Sequence, residues 1–241
     1  MKIALVTGSS GVIGGACARA LAEKGYALAL QYHSHPERVQ ALFDELSGLT
    51  PVMMQGADIS RSTDVSELFR AMETRLGRLD LLVNCAGIAL PQKLLTDVTD
   101  EEMDRVYGMN MKGAMLLTQA AIPHLLQKEG GAMVHLSSMW GLTGGACEAV
   151  YSASKGALNA FVKAMAKELA PSRIRVNAVA PGLVPSPMNA SLSEADLVAF
   201  REDTPLGQLV TPEQVAQAVC YLAEAEMVTG QILSVDGGMV I

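Results

Sequence analysis

Residues 2–14 read KIALVTGSSGVIG, a short apolar run that passes through the turn Thr7-Gly8-Ser9-Ser10-Gly11-Val12-Ile13-Gly14 into a segment with helical spacing. A strand that ends in a glycine turn and opens a helix gathers backbone amides and the positive end of a helix dipole at one spot. A pyrophosphate can be held there without a cationic side chain. Thr7, Gly8, Ser10, Gly11, Ile13 and Gly14 are therefore the candidate cradle. A glycine triplet alone is a weak signal, because any tight strand-to-helix turn can use one. Its weight comes from the pattern that follows it.

Working outward, apolar runs at 2–7, 26–32, 51–55, 79–84, 132–137, 174–180 and 231–235 alternate with helix-like stretches near 13–24, 37–47, 62–76, 101–127, 151–170 and 212–224. Strands apolar on both faces and separated by helices predict an α/β chain: one doubly wound, seven-stranded parallel sheet with helices on both faces. Thr211-Pro212-Glu213 supplies a cap, a proline for the first helical position and an acid for the first turn. Residues 182–205 carry Pro185, Pro187 and Pro205 and read as a long irregular segment, with a lid expected over 183–204. No repeat or linker divides the chain, so 1–241 is read as one domain.

Composition narrows the partners. Half of the 241 residues are hydrophobic, which excludes a disordered chain, and the net charge of −7 argues against a nucleic-acid partner. Cys17, Cys85, Cys147 and Cys220 lie far apart in sequence with no CxxC pair, so neither a zinc site nor a disulfide framework is expected. No apolar run is long enough for a membrane span and the start lacks a secretory pattern, so the expected setting is the cytoplasm, without membrane attachment.

The second strand ends Gln31-Tyr32-His33-Ser34, without the acid that would bind an adenosine ribose and repel a 2′-phosphate, and Arg38 follows. Tyr32, His33 and Ser34 are candidate contacts, and NADP(H) is favoured over NAD(H). Tyr151 and Lys155, four apart in YSASKGALNAFVKAMAKELA, share one helix face, so the ammonium can approach the phenol. A cation there is expected to lower the phenol pKa and suit it to passing a proton to a carbonyl oxygen. Ser137-Ser138 ends the fifth strand, where open α/β sheets place ligands, and Asn110 sits in a helical pattern for which it has little propensity.

As a set, the glycine turn, Asn84-Cys85-Ala86-Gly87, Asn110, Ser138, Tyr151 to Lys155, Pro181-Gly182 and Thr229-Gly230…Asp236-Gly237-Gly238 resemble the short-chain dehydrogenase/reductase superfamily along essentially the whole chain. The resemblance implies a Rossmann fold and a tetrad: Tyr151 as general acid/base, Lys155 tuning it and binding the nicotinamide ribose, Ser138 orienting the carbonyl, and Asn110 holding a relay water. It places Asp58 with Ile59 at the adenine edge, Asn84, Ala86 and Gly87 along the cofactor cleft, and Pro181, Gly182, Val184 and Ser186 beside the nicotinamide. The turn departs from the usual TGxxxGxG: Gly11 comes one residue early and Val12 takes the middle glycine position.

Two branches share the resemblance. RVNAVAPG, TPEQVAQAV and VTGQILSVDGGM are similar to 3-oxoacyl-[acyl-carrier-protein] reductases of fatty-acid synthesis, which implies a carrier-bound ketoacyl substrate. Those enzymes typically place arginines where Glu129 and Ser172 stand here. SSMWGLTGGACEAVYSASK is similar to reductases of a 5-aminopentanone group on elongation factor P, whose ammonium Glu148 could pair with. Trp140, Glu148 and Met188 are the candidate substrate contacts, and no metal site is expected. A serine hydrolase lacks its GxSxG elbow, and a non-catalytic dinucleotide sensor would be expected to have lost a tetrad position. The apolar stripe of 151–170 and the resemblance together imply a homotetramer.

Overall fold

The computed structural model describes residues 1–190 and 192–240. The strands are β1 (Ile3–Thr7), β2 (Ala27–Tyr32), β3 (Val52–Gly56), β4 (Leu81–Asn84), β5 (Gly131–Leu136), β6 (Ile174–Pro181) and β7 (Ile232–Val235). They form one all-parallel sheet in the order β3-β2-β1-β4-β5-β6-β7. β1 pairs with β2 on one side (Ile3 with Ala27) and β4 on the other (Ala4 with Leu81), so the winding reverses beside β1. That reversal opens a crevice at the carboxyl ends of β1 and β4.

Burial explains the strand composition. Alternate residues point to opposite faces, and both faces are covered, so alternation with polar residues would bury them. Ala4, Val6, Leu28 and Leu30 pack beneath α1 (Val12–Glu23), α2 (Pro36–Leu46) and α9 (Pro212–Glu224). Ile3, Leu5, Leu82 and Met133 pack beneath α3 (Ser62–Arg75), α5 (Gly113–Gln127) and α7 (Ala149–Leu169). Each fully buried leucine contributes roughly 1.5–3 kcal/mol, and the sheet centre holds Leu5, Leu28, Leu30, Leu81 and Leu82. Among the described residues, no helix is long and apolar enough to cross a membrane.

Two expectations are corrected. The helix expected over 101–127 is broken: α4 (Asp100–Tyr107) passes into a π-helical turn at Gly108–Lys112 before α5 begins. Gly113 donates to the Gly108 carbonyl across that turn, and a wider turn shifts every following side chain around the axis. The segment read as irregular over 182–205 contains a short 3-10 turn at Pro187–Asn189 and α8 (Glu194–Asp203). α8 opens on a capping box in which the Ser193 hydroxyl accepts from the Asp196 amide and the Asp196 carboxylate accepts from Ser193. Ser193-Glu194-Ala195-Asp196 was a readable start signal. Ser191 of the expected lid lies outside the described residues. A short helix α6 (Trp140–Thr143) also follows β5.

Candidate active site

The glycine turn is shaped by two close approaches. Gly8 holds φ +65, and a Cβ there would stand 2.9 Å from the Ala86 amide nitrogen. A Cβ on Gly14 would stand 2.3 Å from the Gly8 carbonyl oxygen. Neither position accepts a side chain, so the backbone beneath the crevice stays bare. α1 starts with Gly11 as its cap, with no side-chain cap and no acid in its first turn. Free amides at a helix start are the donors a diphosphate uses. Ser10, Gly11 and Ile13 are accessible here, and Ile13 reaches the adjoining cleft.

Thr7 does not project into the crevice: it is fully buried and donates to Asn84 Oδ1 at 2.7 Å, while the Ala86 amide donates back to its hydroxyl. The pair pins β1 to β4 where the crevice opens. Because Asn84 Oδ1 accepts from Thr7, its amide nitrogen donates to His135 Nδ1, leaving His135 Nε2–H to donate to Thr118. Burial and the nearby Lys155 ammonium push the His135 pKa down to about 4, so the ring is neutral. Gln31 was not anticipated as part of the site. It is buried, accepts from the Gly8 amide at 3.0 Å and donates to the Ala57 carbonyl at 2.7 Å, fixing the glycine turn to β2 and β3. A lone polar residue in YALALQY was its signal.

The other expected cofactor positions ring the carboxyl ends of the strands. Tyr32 is half-buried against Gly56, His33 and Ser34 are exposed, and Arg38 is exposed in the first turn of α2. Asp58 Oδ1 accepts from the Ser60 amide and hydroxyl, shaping the turn after β3, and Ile59 is buried against Gly113. Ala86 and Gly87 follow β4, and Gly87 sits against Asn110 Oδ1 and Lys155 Nζ. Pro181, Gly182, Val184 and Ser186 line the cleft beyond β6. The Val184 side chain packs into the core, which leaves its backbone facing the cleft.

At the centre, α7 carries Tyr151 and Lys155 on one face, and Ser138 follows β5. Tyr151 and Ser138 line the same cleft, and Lys155 Nζ lies 5.7 Å from the Tyr151 ring centroid. Lys155 donates to the Leu136 carbonyl at 2.7 Å and is almost fully buried. The expected lowering of the phenol pKa is not what the protein alone produces. Burial pushes Tyr151 up to about 12 against the opposing effect of the Ser138 hydroxyl, and burial pushes Lys155 down to about 8. Desolvation disfavours the charged form of both groups.

Asn110 arrives through the π turn. Its Oδ1 accepts from the Ile88 amide at 2.8 Å, and its Nδ2 donates to the Ile88 carbonyl and to Ser154 Oγ at 2.9 and 3.0 Å. The side chain thus clamps the segment after β4 against α7. Among the expected substrate contacts, Trp140, Glu148 and Met188 all line a cleft of about 120 Å³ together with Ser138, Tyr151 and Ser186. Burial raises the Glu148 carboxyl pKa, and a hydrogen bond to Gln92 opposes it. Met139 and Leu183 in the cleft, and Phe200 behind it, were not anticipated. As apolar residues they carry no sequence signal that separates a cleft wall from a core.

Residues 8–240 match the family described as Enoyl-(Acyl carrier protein) reductase. The chain is 37% identical over 242 residues to an uncharacterized oxidoreductase of Bacillus subtilis, covering 98% of each chain. It is 38% identical over 238 residues to the human 3-oxoacyl-[acyl-carrier-protein] reductase, covering 99% of this chain and 98% of the other. A crystal structure of 3-ketoacyl-(acyl-carrier-protein) reductase from Brucella melitensis complexed with NADH superposes with a TM-score of 0.92 at 31% identity, covering 100% of this chain and 98% of that one. With that sheet, crevice and match along the chain, the protein belongs to the short-chain dehydrogenase/reductase family, oxidoreductases that act on ketones with a nicotinamide dinucleotide.

Proposed function

We propose that the protein reduces the 3-oxo group of an acyl chain carried by an acyl carrier protein, with NADP(H) as the preferred dinucleotide. The observation that carries this reading is the cleft that Ser138 and Tyr151 share, whose other wall is Ile13, residues 181–184 and Ser186, next to the glycine turn. When bound, the dinucleotide supplies the hydride. Ser138 holds the substrate oxygen, and Tyr151 gives that oxygen its proton. Lys155 steadies the phenolate left behind, and Asn110 holds the walls in place. A phenol whose pKa lies near 12 is protonated at neutral pH and so carries the proton that the reduced oxygen takes up.

The adenosine end supports the dinucleotide preference, because Tyr32, His33 and Ser34 bring no carboxylate to the end of β2 and Arg38 stands near. Tyr32→Asp is expected to raise the NADH-to-NADPH ratio of kcat/KM at least tenfold, through repulsion of the 2′-phosphate. An unchanged ratio would place the discrimination elsewhere. A homotetramer in the cytoplasm is the assembly and setting we propose. Met115 and Leu126 are exposed on α5, and β7 is only half covered, which supports self-association.

A second reading rests on Glu148, a half-buried carboxyl in the cleft wall beside Tyr151 and Trp140. Such a group suits a substrate with a terminal ammonium, as the 5-aminopentanone group on elongation factor P would present. The basic residues that would dock an acidic carrier give the first reading little help. Lys128 pairs with Asp80, and it and Arg173 lie at the amino ends of β5 and β6, away from the cleft. NADPH oxidation measured in parallel on acetoacetyl thioester and on aminopentanone-bearing elongation factor P separates the readings. Thioester turnover is the expected result. Turnover only on the modified factor, falling at least tenfold in Glu148→Gln, would select the second.

A further inference from the structure

We infer that Phe200 of α8 sets the length of substrate the cleft accepts, by closing its distal end against Trp140. The cleft that starts at Tyr151 and Ser138 continues past Met139, Glu148 and Met188 into a second chamber of about 40 Å³, whose far wall is Leu90, Gln92, Leu192 and Phe200. Trp140 lines both spaces. Its ring meets Phe200 edge-on, with centroids 6.5 Å apart and planes at 62°, a favourable aromatic arrangement.

The two partners differ in how firmly they are held. Trp140 is fixed to the catalytic segment: its amide donates to Ser138 Oγ, and its indole lies so close to Gly145 that a Cβ there would stand 2.9 Å from the ring. Phe200 belongs to a helix with no fully buried residue, closed at its end by Thr204, whose hydroxyl donates to the Phe200 carbonyl at 2.7 Å. The chamber therefore ends on a rigid indole and on one phenyl ring carried by a peripheral helix. A cavity of about 150 Å³ holds a benzene. At 40 Å³, the distal chamber takes only a short extension beyond the reacting carbonyl. Because α8 contributes nothing fully buried to the core, truncating Phe200 opens the chamber without opening the core.

The inference deepens the reductase reading and rests on it for the choice of substrates. The test compares the wild type with Phe200→Ala and with Val198→Ala, an exposed position on the same helix. The ratio of kcat/KM for 3-oxodecanoyl over acetoacetyl N-acetylcysteamine is the first readout. It should be below 0.1 in the wild type, rise at least tenfold in Phe200→Ala and stay unchanged in Val198→Ala. The second readout needs no turnover. Trp140 is the only tryptophan in the chain, so its emission reports the chamber directly. Its quenching by straight-chain 2-ketones from butanone to decanone, with NADP+ bound, gives the length dependence of binding. Phe200→Ala should move the binding optimum to longer ketones. Absence of thioester turnover with a shifted binding optimum would sink the carrier-substrate reading and leave the length limit standing. A flat wild-type profile in the ketone titration, or an equal change in Val198→Ala, would overturn the inference.

Discussion

Tyr151→Phe is expected to lower kcat for ketone reduction by about 10³-fold, within the range that a positioned general acid supplies, while the dissociation constant for the dinucleotide changes less than twofold. The ring is retained, so the packing at the start of α7 survives, and only the hydroxyl at the cleft is lost. That hydroxyl is the more acidic of the two at the cleft, since a phenol ionises at a lower pH than an alcohol. Stopped-flow hydride transfer alongside a cofactor titration checks both parts. A fall in kcat of less than tenfold would remove Tyr151 from the proton path. Equal losses in rate and cofactor affinity would mean that the phenol shapes the cofactor site instead.

Lys155→Met is expected to reduce both turnover and cofactor affinity by at least tenfold, because in the proposed mechanism one ammonium serves the phenolate and the cofactor. The pH dependence makes the test specific. Burial has moved the Lys155 pKa from an ordinary value of 10.5 down to about 8. Below pH 8 the ammonium is present and binding is at its strongest; above pH 8 the charge is lost in the folded protein and affinity should fall. Stability runs the opposite way. Between pH 8 and 10.5 the unfolded chain still binds the proton that the folded one has released, so this group's contribution to stability rises with pH across that window. Cofactor affinity measured from pH 6.5 to 9.5 should bend near pH 8 in the wild type and lose that bend in Lys155→Met. An identical bend in the variant would assign it to another group.

The parallel sheet was legible because its strands are apolar on both faces and its helices fall between them, a pattern few other architectures tolerate. The glycine turn and the Tyr151–Lys155 spacing were legible for a related reason: each is local, within one turn or one helix, so sequence distance stands in for spatial distance. Asn110 stood out in its helical segment, but its partners did not. The π turn at Gly108–Lys112 redirects the side chain to Ile88 and Ser154, contacts 22 and 44 residues away. Gln31 shows the same limit, since its partners, Gly8 and Ala57, belong to two other parts of the sheet.

What the sequence by itself determined, then, was the order of elements, the bare turn for a diphosphate, and which residue types could move a proton. Only the tertiary structure decided how those groups are charged and what confines the substrate. Burial is a property of the assembled core, and it sets Tyr151 near 12, Lys155 near 8 and His135 near 4, directions that no local spacing carries. The distal wall is likewise made by packing α8 across the cleft, which brings Phe200 to Trp140 from sixty residues away. An apolar residue reads the same in sequence whether it faces a core or a substrate, and only the packed chain tells the two apart.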